Sequence, residues 1–225
     1  MLFGECSPFG EFLYFRRLKT KTMKRNPIEV FSEWADLDKD FGMEQNHKES
    51  VENMLTFALK EYNSFSFIDA GCGNGWVVKS VKKNPLCVDA LGVDGSAKMI
   101  QKAKKLDTSG SYVCADLMSW CPEKPVDIVH SMEVFYYLEN PKDMIQRIFD
   151  SWLNTKGRLI IGLDFYLENK VSHDWSDSCG ISNMQLFSEN EWLEFFKAAG
   201  FNSIRSWRFG EKENWAGTLI VTGVK

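Results

Sequence analysis

The run FIDAGCGNG at residues 67–75 constrains the fold more than any other segment of the chain. The apolar stretch SFIDA is typical of a short strand, and it leads directly into Gly71, Gly73 and Gly75. Glycine allows a tight turn and lets a ligand approach the backbone closely. Ligands of open α/β sheets bind beyond the carboxyl ends of the strands. The run therefore predicts a ligand site rather than an ordinary turn between strand and helix.

Strand and helix patterns alternate along the rest of the chain. The strands are predicted at residues 66–70, 88–94, 111–115, 126–131, 158–163, 201–209 and 217–224. Only residues 210–216 separate the last two strands, and a parallel crossover needs a dozen residues or more. We therefore expect a doubly wound, Rossmann-like α/β fold. Its seven-stranded sheet should be mostly parallel with an antiparallel last strand, and helices should precede it.

Helix signals complete this prediction. A helix is expected over residues 46–62, with Asn46 and Glu49 as its capping pair. Ser96 and Asn140 should cap two further helices, and Ser188 with Glu191 has the spacing of a capping box. These helices supply the crossovers that parallel strands require.

Two acidic residues follow the glycine run at informative distances. Asp94 ends the second strand about 20 residues beyond the glycines, where such folds place a carboxylate for ribose hydroxyls. It could instead cap the next helix, but Ser96 already fills that role. Asp116 lies in an A-D-L run after the third strand, where the alternative is a solvated turn residue.

Together these three features resemble the motifs by which class I methyltransferases bind S-adenosylmethionine (SAM). The similarity covers residues 65–163 best. It implies that SAM is the methyl donor and S-adenosylhomocysteine (SAH) the product. The dinucleotide fingerprint G-x-G-x-x-G does not match the G-C-G-N-G of this chain, so a nicotinamide-dependent dehydrogenase is the weaker enzymatic alternative.

The resemblance also implies residue roles. Gly71 and Gly73 would lie against the methionine part of SAM, and Asp69 would order the loop or hold the amino group of the donor. Asp94 would hold the ribose and Asp116 would meet the adenine edge. The other residues implied at the donor are Cys72, Gly95, Ser96, Met99, Leu117, Ser131 and Met132. Trp34 joins them because an aromatic face attracts a sulfonium, although a tryptophan is more often a core residue.

Candidates for the acceptor side follow strands four and five. Glu133 and Tyr137 lie in the run MEVFYYLENP after strand four. Residues 164–187 are too long for a simple connection and are predicted to form a lid. Within it, Asp164, Tyr166 and His173 are catalytic candidates, although a solvated loop with a few anchoring aromatic residues is the alternative. His47 could act as a base, but a histidine near a helix start more often lies on the surface.

The net charge and the composition limit the class of methyl acceptor that we expect. The chain has 225 residues and a net charge of −4, a balance that argues against the basic face typical of nucleic-acid binding. The exception is a basic cluster near the N-terminus, formed by Arg16, Arg17, Lys19, Lys21, Lys24 and Arg25. We therefore expect a small-molecule methyl acceptor and no nucleic acid. The alternatives are a protein or RNA methyltransferase, and a SAM-binding regulatory protein without catalytic activity. The sequence does not indicate an oligomeric state.

The cysteines and the apolar runs bear on metal binding and on cellular location. None of the six cysteines forms a C-x-x-C pair, and there are only three histidines, so no metal site is expected. Scattered cysteines favour a reduced, cytoplasmic location. No apolar run reaches the ~20 residues that cross a membrane. We divide the chain into a poorly ordered extension (residues 1–25), an N-terminal helical cap (26–64) and a SAM-binding domain (65–225).

Overall fold

A computed structural model describes residues 23–225 and places seven strands in one sheet. The strands are β1 Phe65–Ala70, β2 Cys87–Asp94, β3 Ser111–Cys114, β4 Val126–Met132, β5 Leu153–Leu163, β6 Asn202–Phe209 and β7 Thr218–Val224. Their spatial order is β3-β2-β1-β4-β5-β7-β6. The strand order reverses between β1 and β4, and the carboxyl ends of β1, β2, β4 and β5 share one edge of the sheet.

The predicted fold class is confirmed. The pairs β1–β2, β1–β4, β2–β3 and β4–β5 are parallel, whereas β7 is antiparallel to both β5 and β6. The short connection between β6 and β7 makes them a hairpin, because a parallel crossover would need more residues.

Helices cover both faces of the sheet. They are α1 Pro27–Asp36, α2 Phe41–Leu59, α3 Trp76–Val81, α4 Ala97–Leu106, α5 Pro141–Arg147, α6 Trp175–Ser178 and α7 Glu189–Ala199. A π-helical turn, Ile148–Trp152, continues α5, and 3₁₀ turns lie at Phe135–Tyr137 and Lys170–Ser172. None of the helices among the described residues is long and apolar enough to cross a membrane.

The two faces of the sheet have separate apolar cores. On one face the π-helical turn after α5 and helix α7 bury Ile148, Trp192 and Phe196 against alternate residues of β4, β5 and β7. On the other face α2, α3 and α4 cover the remaining residues of β1, β2 and β4. Full burial of one large apolar side chain contributes roughly 1.5–3 kcal/mol, so these two layers hold the strand ends rigidly in place.

The start of α2 was predicted wrongly. The helix begins at Phe41, five residues before Asn46, so Asn46 and Glu49 lie within it rather than at its cap. Among the described residues, no side chain caps the true start of this helix. The carboxylate of Asp40, the residue before the helix, instead accepts hydrogen bonds from Asn74 Nδ2 (2.8 Å) and Lys102 Nζ (2.5 Å). The residue before the helix therefore makes tertiary hydrogen bonds, whereas the prediction assumed a local capping bond.

The other helix starts follow the sequence signals. Ser96 accepts a hydrogen bond from Met99 N, and Ser188 and Glu191 form the predicted capping box of α7. Asn140 caps α5, whose first residue is Pro141. β5 begins at Leu153, earlier than predicted, and pairs with Val126 before a register shift.

Residues 1–22 of the predicted extension lie outside the described residues. The residues that follow them contact the predicted lid, residues 164–187. Arg25 N donates to Gly180 O (2.9 Å), and Ser182 N donates to Arg25 O (2.8 Å). Lys24 forms an ion pair with Asp177 at 2.9 Å. The chain that precedes α1 is therefore attached to the lid segment.

Candidate active site

The glycine loop after β1 is shaped by positive φ angles and close neighbours. Gly71, Gly73 and Gly75 have φ values of 82°, 53° and 81°. Gly71 N and Cys72 N donate to Val93 O at 2.7 and 3.0 Å, which ties the loop to β2. A Cβ atom at Gly71 would lie 2.3 Å from a methyl group of Val134. The loop therefore requires glycine for its backbone conformation and for its packing.

Asp94, at the end of β2, fixes the other side of the loop. Its carboxylate accepts hydrogen bonds from Gly73 N (2.9 Å) and Ser96 N (2.7 Å), one on each oxygen. A carboxylate oxygen has two acceptor sites, so each keeps one free for a hydroxyl. Burial raises the pKa of Asp94, while the two backbone N–H groups lower it. This partly exposed carboxylate beside a glycine cradle fits the ribose of SAM.

The N-terminal helices cover the glycine loop. Met43 of α2 lies 3.4 Å from where a Cβ of Gly73 would be, and Ile28 of α1 lies 2.8 Å from where a Cβ of Gly95 would be. The hydroxyls of Ser32 and Ser96 are 2.7 Å apart. The donor side is therefore enclosed by α1 and α2 as well as by the sheet edge.

An aromatic row connects the predicted donor and acceptor sides. The ring of Phe31 lies between those of Trp34 and Tyr137, with centroid distances of 5.2 and 5.1 Å and edge-to-face geometry. Tyr137 also packs on Tyr136 at 4.4 Å. Trp34 and Tyr137, assigned to different sides by the sequence, share this row.

Several predicted donor residues are fixed by the packing of the sheet. Asp69 Oδ1 lies 2.7 Å from His130 Nδ1 in the core, and Ser131 donates its hydroxyl hydrogen to Ala70 O at 2.6 Å. The Cys72 side chain is buried against β2, and burial raises the pKa of its thiol well above the ordinary value. These three side chains are therefore held within the packing of the sheet.

The remaining predicted donor residues differ in exposure. Met99 and Leu117 are buried in the apolar layers, and Met132 packs beside Gly162. Asp116 is exposed, and its Oδ1 accepts from Met118 N at 2.9 Å. The structure thus places Asp116 at the rim, on the turn that follows β3.

Three ionisable side chains from separate elements meet beyond β4 and β5. His47 of α2, Glu133 after β4 and Asp164 after β5 bring one ligand-type atom each within 4.8 Å of one another. His47 Nδ1 is 3.6 Å from Asp164 Oδ2. We call these three residues the acidic cluster. The carboxyl ends of adjacent parallel strands lie at one edge, so the sheet topology itself brings Glu133 and Asp164 together.

Glu133 has an unusual backbone and many contacts. Its φ of 61° is in the left-handed region, where a residue with a Cβ is disfavoured. Its carboxylate accepts hydrogen bonds from Asp164 N and from the hydroxyl of Tyr136. The next residue is Val134, which packs on Gly71 of the glycine loop. The acidic cluster therefore adjoins the predicted donor site.

Burial dominates the electrostatics of the cluster. Loss of solvent raises the pKa of Glu133 well above its ordinary value, and the neighbouring Asp164 carboxylate raises it further. Burial also raises the pKa of Asp164, partly offset by His47. Burial lowers the pKa of His47, and Asp164 opposes that shift. These pKa shifts favour an uncharged His47 imidazole at neutral pH, next to the carboxyl groups of Glu133 and Asp164.

The lid segment is anchored next to the cluster. Asn183 Nδ2 donates to Tyr137 O and Gln185 N donates to Tyr136 O, both at 2.7 Å. Asn169 Nδ2 donates to the backbone oxygen of Asp164. The lid segment therefore runs beside the turn after β4 and stays at the edge of the sheet where the candidate site lies.

Two catalytic candidates of this segment point elsewhere. The hydroxyl of Tyr166 donates to Ala216 O and Gly217 O, both at 3.0 Å, and its ring is fully buried. His173 is exposed, with Nε2 3.0 Å from Leu167 O. Neither residue contacts Glu133 or Asp164 through a described hydrogen bond.

The sequence left the role of His47 undecided and did not indicate Phe31 or Met43 as site residues. With α2 started at Phe41, Met43 and His47 share one helical face.

Comparison with known proteins agrees with the motifs. The family model of the methyltransferase domain matches residues 28–206. The trans-aconitate 2-methyltransferase of Rhizobium rhizogenes is 31% identical over 120 residues, which cover 49% of this chain and 46% of that protein. The malonyl-[acyl-carrier protein] O-methyltransferase of Halalkalibacterium halodurans is 29% identical over 102 residues, or 42% and 37% of the two chains. The chain spans less than half the length of these curated relatives.

Solved structures share the fold. A chain from the complex between the Haloferax volcanii Trm112 methyltransferase activator and a putative methyltransferase superposes with a TM-score of 0.74 and 25% identity. That match covers 89% of this chain and 98% of the other. The N-methyltransferase NodS of Bradyrhizobium japonicum, in complex with SAH, gives 0.62 and 16% identity over 79% and 86%. The match over residues 28–206 shows that the chain belongs to the methyltransferase-domain family, the class I methyltransferases that use SAM as methyl donor.

Proposed function

We propose that this protein transfers a methyl group from SAM to a small-molecule acceptor. The observation that carries the proposal is the enclosure of the site. α1 and α2 cover the glycine loop, and the acidic cluster with Tyr137 lies beneath them, next to Val134 and Gly71. An enclosed site of this kind suits a small acceptor, because a protein or RNA strand would need an open groove.

The residues divide between two tasks. Asp94 would hold the ribose, the Gly71–Gly73 turn would accommodate the methionine part, and Asp116 would lie at the adenine rim. Bound there, SAM supplies a methyl group already activated by its sulfonium. The protein mainly has to position the acceptor and exclude water, since orientation alone can supply a large part of a rate enhancement. Glu133, Asp164 and Tyr137 would form the acceptor wall.

The catalytic roles first predicted for Tyr166 and His173 are revised in this proposal. The Tyr166 hydroxyl donates to two backbone oxygens of the β6–β7 connection, and it would hold that connection in place. His47, which is adjacent to Asp164, would replace His173 as the proton-accepting histidine.

Two measurements test the proposal. Calorimetry with SAM, SAH and NAD should show binding of the first two only. Incubation of the chain with methyl-labelled SAM and separate pools of metabolites, proteins and RNA should then place the label in the metabolite pool. Label in protein or RNA would support the macromolecular alternative. SAM binding without transfer to any pool would support a regulatory protein.

A further inference from the structure

The acidic cluster lacks a counter-charge. The carboxylates of Glu133 and Asp164 are adjacent, and in residues 23–225 no lysine or arginine forms an ion pair with either of them. Arg208, which lies over the ring of Tyr166, pairs with Glu189 at 2.9 Å. Two close carboxylates removed from water are costly unless a cation or shared proton accompanies them. The cluster is thus incomplete on its own.

One oxygen of the cluster is unused. Asp164 is 1% exposed, and no donor in residues 23–225 satisfies hydrogen-bond geometry at its Oδ1. The Thr218 hydroxyl, which lies near the carboxylate and lowers its pKa, is 2.9 Å from the Ser50 hydroxyl. Its Oδ2 faces His47, and its backbone N–H is bound to Glu133. A buried polar atom without a partner is rare in folded proteins and calls for an explanation. A bound ligand that donates to Oδ1 supplies one.

The aromatic row favours an organic cation as the missing counter-charge. The ring of Tyr137 follows the turn that carries Glu133, and it packs against the ring of Phe31 at 5.1 Å. Aromatic faces attract organic cations. A small divalent metal is the competing occupant, because His47 Nδ1 and Asp164 Oδ2 are 3.6 Å apart, and the test below includes it.

We propose that the methyl acceptor is an amine, held as its ammonium ion by Asp164 Oδ1 and the Glu133 carboxylate and faced by Tyr137. This inference rests on the proposed methyltransferase function and names its acceptor class. Before an ammonium nitrogen can act as a nucleophile, one N–H bond must break and leave its electron pair on nitrogen. The proton passes to a ring nitrogen of His47, which lies within the cluster. A carboxylate acceptor would meet two like charges here.

The test compares two probes of the same shape and opposite charge. The full chain is first saturated with SAH, whose binding is measured by calorimetry. Benzylammonium and phenylacetate are then titrated against this complex, with saturation-transfer NMR as the readout. Benzylammonium should bind and phenylacetate should not. Asp164→Asn and Glu133→Gln should each weaken benzylammonium binding on the order of tenfold while SAH binding persists. Glu52→Gln, which removes an exposed charge from α2, should change nothing.

Several outcomes would overturn the inference. They are tighter binding of phenylacetate, no binding of benzylammonium, and benzylammonium binding that is equal in wild type and Asp164→Asn. A selective loss of SAM over SAH affinity in Asp164→Asn would assign the cluster to the sulfonium instead. A thermal shift with Mg²⁺ or Mn²⁺ that Asp164→Asn abolishes would assign it to a metal. Failure to bind SAH at all would refute the proposed function rather than the choice of acceptor.

Discussion

The proposed donor and acceptor sides of this site are built in different ways. The donor side consists mainly of backbone, with three glycines at positive φ and Asp94 bound to two N–H groups. The acceptor side consists of side chains, contributed by α2 and by the ends of β4 and β5. A backbone-built site can be recognised from a short local motif. A side-chain site depends on how distant elements pack, so relatives can share the first and differ in the second.

Substitution of Gly71 should have the largest effect. In Gly71→Ala the new Cβ would lie 2.3 Å from Val134, at a φ of 82° that already disfavours a side chain. We expect about 3 kcal/mol lower stability and loss of SAH binding, measured by urea unfolding and calorimetry. In the control Gly180→Ala the φ is 66°, but no atom of residues 23–225 would lie within 4 Å of the new Cβ, so this variant should lose only ~1–2 kcal/mol. Equal losses would show that Val134 does not fix the loop.

Asp94→Asn should have the second largest effect, and it should lower SAH affinity rather than the stability of the fold. The substitution replaces one acceptor oxygen by an amide that faces the N–H of Gly73 or Ser96. Loss of a hydrogen bond to a charged group costs roughly 1.5–3 kcal/mol, so SAH affinity should fall about 10- to 100-fold. Asp116→Asn, at the exposed rim, should have a smaller effect. If the two variants bind SAH equally, the donor is not held at the end of β2.

Asp164→Asn should stabilise the protein without ligand. Because burial raises the pKa of Asp164, its charged form destabilises the folded state, and this penalty grows as pH rises above the ordinary value of 3.8. The neutral variant should therefore be about 1–2 kcal/mol more stable at pH 8, with a smaller gain at pH 5, by urea unfolding. A destabilised variant at both pH values would indicate that the carboxylate supports the fold rather than a ligand.

Tyr166→Phe and His173→Asn should have the smallest effects. Tyr166→Phe removes a hydroxyl that donates to two backbone oxygens, and we expect about 1 kcal/mol lower stability with unchanged SAH affinity. His173→Asn, at an exposed position, should stay within ~0.5 kcal/mol of wild type. A large loss of SAH affinity in either variant would extend the donor site into the lid segment.

The same contrast explains what the sequence could predict. The alternation of strands and helices, the short β6–β7 connection and the cap residues Ser96 and Ser188 act locally, and they led to the correct fold. The meeting of His47 with Asp164 depends on where α2 starts. The true start has no side-chain cap, because the Asp40 carboxylate is bound to Asn74 and Lys102. Asn46 and Glu49 imitate a cap, so local reasoning placed His47 at a helix end.

Glu133 has a consequence for protein engineering. A search for stabilising substitutions ranks positions by backbone strain, and a glutamate at a φ of 61° would rank high in it. Glu133→Gly would relieve roughly 1 kcal/mol of backbone strain. It would also delete the carboxylate that accepts hydrogen bonds from the Tyr136 hydroxyl and from Asp164 N, and a buried donor left unpaired costs about 1–3 kcal/mol. A thermostability screen of this chain should therefore leave position 133 unchanged, because the proposed acceptor wall depends on it.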